Sequence, residues 1–588
     1  MSVEQLITAH LDIWTAADSE KKSGRGRSSG NAGSVYGIKK LRELILELAV
    51  RGKLVPQDES DEPASELLKR IVAEKAKLVA EGKIKKSKPL AEITDDEKPF
   101  ELPRDWEWVR LGDTGTIFNG NSINENEKTE KYTNLKSGYP FIATKDVGYG
   151  RDKLDYQNGV LIPFANDSFK IAHIGAVLIC SEGGSSGKKI GITEIDICFG
   201  NKLYANETWL GFVPRFIFYI YQSPYFFKSF SERMTGIIGG ISINQFLTIP
   251  ISIPSETEQN RIVAKVDELM ALCDQLENQH NNAAEAHEKL VTHLLGTLTQ
   301  SQNAEDFNTH WQLISKHFDT LFTTEASIDN LKQTLLQLAV MGKLVPQDPN
   351  DEPASELLKR IQAEKAKLFA EGRIKKDIPL AEITNEEKPF ELPIGWEWVR
   401  LADLLAVLTD GDHQAPPKAN SGVPFLVIGN LNKGKVSLDG CRYVPDEYYE
   451  KLDWIKKPTK NDLLYTVTGS YGIPIKVNVS NKFCVQRHVA ILKRVESTPI
   501  SYLSFLLKSE YAFQYATAIA TGIAQKTVPL TGLRLMPIAV PPEIEQQRIV
   551  AKVDELMVIC DQLKARITSS NQLQQKLADI VIEQATSC

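Results

Sequence analysis

The apolar positions of this chain fall into a few strongly periodic stretches. Ile38, Leu41, Ile45 and Leu48 follow a 3-4-3 spacing, and Ile328, Leu331, Leu335 and Leu338 repeat it. Each set predicts an amphipathic helix, the first stopped by Gly52 and Pro56. Further helices are predicted over about 64–81 and 354–371, where Asp61-Glu62-Pro63 and Asp351-Glu352-Pro353 supply the acidic residues and proline that suit a helix start. A longer seam runs through Ile262, Val266, Leu269, Cys273 and Leu276 at 4-3-4-3 spacing, and again through Ile549, Val553, Leu556, Cys560 and Leu563, with Ile567 four further on. Sustained heptads of this kind fit a coiled coil. A helix from Glu256 to about Gln300 would extend roughly 60 to 70 Å at about 1.5 Å per residue, and its alternative reading is a plain core helix.

These patterns recur because the sequence does. Residues 52–82 return as 342–372 with changes only at Glu59/Pro349, Ser60/Asn350, Val72/Gln362 and Val79/Phe369, a shift of 342 − 52 = 290 positions. The halves diverge after Trp106-Glu107-Trp108-Val109-Arg110-Leu111 and its copy at 396–401, then reconverge at 258–270 and 545–557. A frame used twice around two unlike inserts implies one job performed in two versions.

The inserts lose the helical period. Runs at 139–143, 176–180 and 216–220 read as strands in the first, the last with a helical alternative, and runs at 423–428, 463–467 and 489–492 read as strands in the second. Shared landmarks are faint: Pro-Phe followed by a short basic loop (Lys145; Lys433 and Lys435), a Gly/Ser turn after a strand (181–189; 468–472), and Thr-Gly-Ile at 235–237 and 521–523. The expected fold is α+β, with two α/β inserts separated by long repeated helices in an antiparallel coiled coil and a pseudo-two-fold internal repeat. The expected domains are an N-terminal helix and Gly/Ser-rich linker at 1–37, repeated helical regions at 38–103 and 326–393, inserts at 104–254 and 394–542, a central helix at 255–325 and a C-terminal helix at 543–588.

Composition narrows the class. The chain is 42% hydrophobic and 25% charged, as in an ordinary globular protein. No run reaches the roughly 20 apolar residues that cross a bilayer, and Met1-Ser2-Val3-Glu4-Gln5 lacks a signal peptide's basic start, so no membrane association and a cytoplasmic location are expected. Seven cysteines without a C-x-x-C pair indicate neither a disulfide framework nor a zinc site, and Cys273 and Cys560 read as small core residues. Net charge is −7, but 104–254 holds 15 Lys+Arg against 15 Asp+Glu and 394–542 holds 17 against 12, so the acidity sits in the repeated frames. Local potential, not average charge, decides whether a surface takes nucleic acid.

Several constellations have a chemical and a plain reading. The loop 181–189, SEGGSSGKK, fails the nucleotide-binding pattern, since Glu182 and Lys189 stand where Gly and Ser/Thr are needed. It reads as a phosphate-contacting turn or as a solvated one. Trp106/Trp108 and Trp396/Trp398 lie in the repeated frame, which favours anchoring the insert to a helix over stacking on bases. His413 in Asp410-Gly411-Asp412-His413-Gln414 resembles a metal or acid/base cluster; with no counterpart visible in the first insert, a polar loop is the expectation. No metal, cofactor or catalytic site is expected in this chain, because the Gly-rich cofactor loop and the Asn/Asp-Pro-Pro-aromatic tetrad of adenine methylation are both missing from the sequence. A self-sufficient DNA methyltransferase with an unfamiliar active site is the alternative, and a coiled-coil adaptor that reads no DNA is a third reading.

The duplicated phrases GKLVPQD, ELP-x-x-WEWVRL and EQ-x-RIVAKVDELM, in the same order in both halves, resemble the specificity subunit of a type I restriction-modification system, of the subgroup with a long repeated N-terminal block. The resemblance implies two target-recognition domains, each reading half of a split double-stranded DNA sequence. It further implies two methylation subunits carrying S-adenosylmethionine, and translocase/endonuclease subunits with ATP and magnesium. The candidate DNA contacts are Lys145, Ser181, Ser185, Lys188, Lys189 and Gln245 in the first insert and His413, Lys433, Lys435, Thr468, Ser470, Gln525 and Lys526 in the second.

Overall fold

The structure, a computed structural model, describes residues 9–16, 35–82, 89–133, 135–150, 152–236, 239–301, 304–376, 379–413, 416–431, 434–523 and 525–587. The expected N-terminal helix is described only as Leu11–Ala16; the rest of that stretch and linker residues 21–34 lie outside the described residues. The chain divides into two compact units, Met1–Ala283 with Ser570–Cys588, and Ala284–Ser569.

In the first unit the opening helix Tyr36–Val50 buries Ile38, Leu41, Ile45 and Leu48 with Ile262, Val266, Leu269 and Cys273, the seam of the central helix Glu256–Gln300. Ala578 and Val581 of the final helix Glu543–Ser587 join the same core. The second unit repeats the plan: the helix Glu325–Val340 packs Ile328, Leu331, Leu335 and Leu338 with Cys560 of the final helix and Val291, Leu295 and Leu298 of the central helix. Each unit thus takes its third helical piece from a distant part of the chain. Burying one such aliphatic side chain contributes about 1.5–3 kcal/mol, enough to make the seam a main support of each long helix. The middle of the central helix lacks this support, since no position is buried between Glu277 and Val291, whereas in the final helix Leu563 and Ile567 continue the seam against the second unit's core.

The far ends of the long helices are capped by cations. Lys343 Nζ donates to the carbonyls of Thr299 (2.9 Å) and Ser301 (2.8 Å), and Arg51 Nη1 donates to the carbonyl of Thr586 (3.1 Å). Unpaired carbonyls and the negative end of the helix dipole both favour a positive group there.

Where each insert leaves its frame, one buried carboxylate gathers three segments. Glu258, in the first turn of the central helix, accepts hydrogen bonds from Trp106 Nε1 (3.1 Å) and Gln57 Nε2 (2.7 Å). Arg261 forks onto Asp61 one turn later at 3.0 and 2.6 Å. The second unit copies this with Glu545, Trp396 (3.0 Å), Gln347 (2.8 Å) and the pair Arg548–Asp351. Burial pushes the Glu258 and Glu545 carboxyls up, an effect their donors oppose. Gly52, at φ +67°, closes the site: a side chain there would lie 2.5 Å from Pro103 and 2.9 Å from Trp106. The tryptophans are anchors, as their place in the frame suggests.

The first insert begins in β1 (Glu107–Arg110), followed by β2 (Gly115–Asn119), β3 (Tyr139–Ile142), β4 (Leu161–Ile162), β5 (Ile171–Ala172), β6 (Val177–Cys180), β7 (Ile190–Ile192), β8 (Ile197–Phe199), β9 (Leu203–Thr208) and β10 (Pro250–Ile253). β1 and β10 pair antiparallel at the base; above them lie an antiparallel sheet β2-β9-β6-β7 and a sheet β4-β3-β8-β5 in which β3 and β8 run parallel. The second insert has β11 (Glu397–Arg400), β12 (Val407–Asp410), β13 (Val423–Leu426), β14 (Arg442–Val444), β15 (Leu463–Thr466), β16 (Pro474–Lys476), β17 (Cys484–Val485), β18 (Val489–Lys493) and β19 (Pro537–Val540). Its sheets, β11-β19, β12-β18-β15-β16 and β14-β13-β17, have the same topology, without a counterpart of β5 among the described residues. Two inserts with little sequence in common therefore share one fold. The strand reading of 216–220 is corrected: these residues lie in the helix Pro214–Gln222, where Phe216 to Tyr221 are all buried, so no polar face marks the helical period.

Arg110 fastens the insert to the frame segment before it. It forks onto Glu97 (2.7 Å twice) and donates to the carbonyls of Ala91, Glu92 and Thr248; Arg400 and Glu387 repeat the arrangement. The hydrogen bonds from Arg110 hold the Glu97 carboxyl at about 2, and those from Arg400 do the same for Glu387. A carboxylate whose pKa is lower folded than unfolded stabilises the fold above its unfolded value, and the gain disappears as pH falls toward its folded value. Denaturant titrations from pH 5 to pH 2 are expected to show a progressive loss. After discounting for partial exposure it amounts to about 2 kcal/mol at Glu97, and Glu97→Gln should flatten the profile. Separately, Lys343→Met is expected to destabilise the second unit by about 1–2 kcal/mol by uncapping the central helix, measured by urea unfolding.

Candidate nucleic-acid interface

The geometry of the antiparallel sheet collects loops at one end. In the first insert the end of β2 faces the start of β9 (Asn119 opposite Tyr204), and the end of β6 faces the same start (Cys180 opposite Leu203). In the second insert Asp410 lies opposite Ala490 and Thr466 opposite Val489. Three loops per insert, after β2, after β6 and before β9, or after β12, after β15 and before β18, therefore share one edge.

A fourth loop joins them. Gly183 N donates to the Gly239 carbonyl (2.8 Å) and Ile241 N to that of Ser181 (3.0 Å). In the second insert Gly469 N donates to the Lys526 carbonyl (3.0 Å) and Thr527 Oγ1 to Thr468 Oγ1 (3.3 Å). The Gly/Ser turn and the Thr-Gly-Ile stretch, separate landmarks in sequence, are thus laced together; Ile237 itself lies outside the described residues.

The candidate residues divide accordingly. Lys188 is exposed with its ammonium 5.9 Å from the Phe227 ring, and Gln245 is exposed on the short helix Ile243–Leu247. Lys189 is half-buried and donates to the carbonyls of Thr144 (2.8 Å) and Lys145 (3.4 Å), which sets its loop beside the exposed Lys145. Ser181 is buried and donates to the Lys202 carbonyl (3.0 Å), while Ser185 is half-buried. Thr468 is buried, whereas Ser470, Gln525 and Lys526 are exposed on the laced loops. Lys435 is exposed on a different loop, and Lys433 lies outside the described residues. His413 is exposed and pairs with Asp410 at 3.0 Å.

The expectation that the His413 cluster has no counterpart is corrected. Asn119-Gly120-Asn121 makes the same turn after β2, and Asn121 bridges Gly200 as Asp412 bridges Gln486. At Gly120 and Gly411 alike a Cβ would lie 1.9 Å from a carbonyl oxygen, of Phe199 and of Val485. Asp412 accepts from Tyr448 Oη (2.8 Å), so the acidic residues here serve the loop itself. Among the described residues no group of three or more His, Cys, Asp or Glu converges as a metal site would, and no helix is long and apolar enough to cross a membrane.

The residues that sequence reading missed are those just before β9 and β18: Gly200-Asn201-Lys202 and Gln486-Arg487-His488. Both are polar triplets preceding a buried strand, a signal that acquires meaning only when the two strands are recognised as equivalent. With them the edge carries Lys145, Lys188 and Lys202 in one insert and Arg487 and Lys526 in the other, all exposed. Positive side chains among small polar loops can contact phosphates and base edges together.

Comparison with known proteins gives the family. The family described as type I restriction modification DNA specificity domain matches residues 103–286 and 393–575. The chain is 41% identical to the EcoEI specificity subunit and 41% identical to the EcoAI specificity subunit, both type I restriction enzymes of Escherichia coli, with 100% of each chain covered in both cases. A solved structure from a study of complex assembly and conformational transition of the type I R-M system aligns at 17% identity with a TM-score of 0.48, over 83% of this chain and 99% of that one. Two copies of the family domain, full-length similarity to specificity subunits and a duplicated polar edge on a duplicated fold lead to one assignment: the chain belongs to the family of type I restriction-modification DNA specificity subunits and is a non-catalytic, sequence-specifying component of such a system.

Proposed function

We propose that each insert is a target-recognition domain that reads one half of a bipartite duplex DNA target through its loop edge, with 104–254 reading one half-site and 394–542 the other. The observation that carries this reading is the pairing of one backbone topology with two different sets of exposed side chains, which is what two readers of different words require. Lys145, Lys188, Gln245, Ser470, Gln525 and Lys526 are the outward contacts, and Ser181, Lys189 and Thr468 shape their loops. Ser185, His413, Lys433 and Lys435 complete the proposed set. The repeated regions 38–103 and 326–393, preceded in the chain by 1–37, hold the inserts and carry two methylation subunits. Those subunits would bring S-adenosylmethionine, and translocase/endonuclease subunits would bring ATP and magnesium, all acting on DNA in the cytoplasm.

The long helical stretches 255–325 and 543–588 serve as a spacer, an antiparallel coiled coil in this proposal. The central helix has 45 residues, about 67 Å at about 1.5 Å per residue, and half-sites read from successive major grooves lie roughly 34–36 Å apart. The exposed span between Glu277 and Val291 offers a place to lengthen it without disturbing a core.

Exchanging residues 104–254 for the insert of a relative is expected to change one half of the methylated sequence and leave the other intact, read by mapping methylated adenines in cells that carry the whole system. A change in both halves would refute independent readers. Inserting four residues at Asn282, roughly 6 Å of helix, is expected to lengthen the unspecified gap by a base pair or two with both half-sites unchanged. An altered half-site in that variant would place base reading in the frame.

A further inference from the structure

The turn before β9 and its partner before β18 share three backbone hydrogen bonds. Gly200 N donates to the Ile142 carbonyl (2.9 Å) and Gln486 N to that of Leu426 (3.0 Å); Leu203 N donates to Gly200 (3.1 Å) and Val489 N to Gln486 (3.0 Å); the Lys202 carbonyl accepts from Ser181 N (2.9 Å) and that of His488 from Val467 N (3.0 Å). Asn201 and Arg487 therefore occupy the same first corner of the same four-residue turn, and Lys202 and His488 the second. Each turn sits between the loop after β2 or β12 and the loop after β6 or β15, at the middle of the edge. These three bonds hold the turn in the same way in both inserts, Asn201 N adding a bond to the Asn121 carbonyl (3.1 Å), and none of them engages the Asn or Arg side chain, which is exposed in each case.

Resting on the reading that the inserts bind duplex DNA, we propose that this corner is a base-reading position, with Asn201 taking adenine in one half-site and Arg487 taking guanine in the other. The carboxamide presents a donor and an acceptor that match the adenine major-groove edge, and the guanidinium fork presents two donors that match the two acceptors of guanine. The Arg487 Nε donates to His488 Nε2 at 3.4 Å, so this bond takes up neither of the two terminal nitrogens. Burial first, and the neighbouring guanidinium second, hold the His488 imidazole below its ordinary value, so it remains an acceptor for Arg487 at neutral pH. A shared phosphate contact would have kept the cation at one corner. Instead the positive charge stands at the second corner in the first insert (Lys202) and at the first corner in the second (Arg487).

The test uses the full chain assembled with its methylation subunits and a duplex library randomised across both half-sites, with bound sequences counted. Arg487→Ala is expected to reduce the preference for guanine at one base pair of one half-site by about tenfold or more, with the other half-site retained as internal proof of folding. Arg487→Lys, which keeps charge but loses the fork, should lose the same preference while keeping affinity for non-specific DNA. Asn201→Ala should relax an adenine in the opposite half-site. Uniform weakening across all sequences, with the slope of log affinity against log salt falling by about one, would make Arg487 a phosphate contact and overturn the proposal, as would an unchanged selection. A wild-type complex that selects no bipartite sequence would instead overturn the underlying reading of the inserts.

Discussion

A carboxylate buried at the start of a long helix is the constraint on which this architecture depends. Glu258 and Glu545 lose hydration and are compensated by an indole N–H, a glutamine amide and the positive end of the helix. The donors come from residues far apart in sequence, Gln57 and Trp106 in one case and Gln347 and Trp396 in the other. Because they can meet only when the strand leaving the frame and the helix re-entering it are side by side, the clamp closes the base of each insert before any insert residue is considered. An indole replaced by an apolar ring would leave the carboxylate short of a donor in a site closed to water.

That closure explains why the inserts can differ so widely. Their sheets are held by backbone hydrogen bonds and by apolar residues of many kinds, and the turns at the loop edge are made by main-chain donors and acceptors. Buried backbone groups must be paired whatever the side chains are. The exposed corners are free of that obligation, so a change there alters what the edge can touch and leaves the fold in place. Where a side chain is committed to structure it is withdrawn from the surface, as Ser181 and Lys189 show.

The long helices divide their roles in a similar way. Their ends are seamed into cores and capped by Lys343 and Arg51, while the central helix buries nothing between Glu277 and Val291. Length in that span of the central helix is thus decoupled from the packing that holds either unit together.

The sequence alone determined the helices, their seam and the duplicated frame, because a 3.6-residue period written in Ile, Leu and Val against polar residues is local information that survives without any knowledge of partners. It also determined the role of the tryptophans, since their repetition tied them to the frame, and it carried the family through its duplicated phrases. Tertiary structure decided the rest. The 216–220 stretch became a helix because burial on all sides erased its period. Asn119-Gly120-Asn121 became the counterpart of Asp410-Gly411-Asp412 only when both glycines were seen pressed against a carbonyl. The corners at Asn201 and Arg487 were illegible beforehand for the same physical reason: their equivalence resides in backbone hydrogen bonds to strands far away in the chain, and such bonds leave no mark on the identity of the side chain that turns outward.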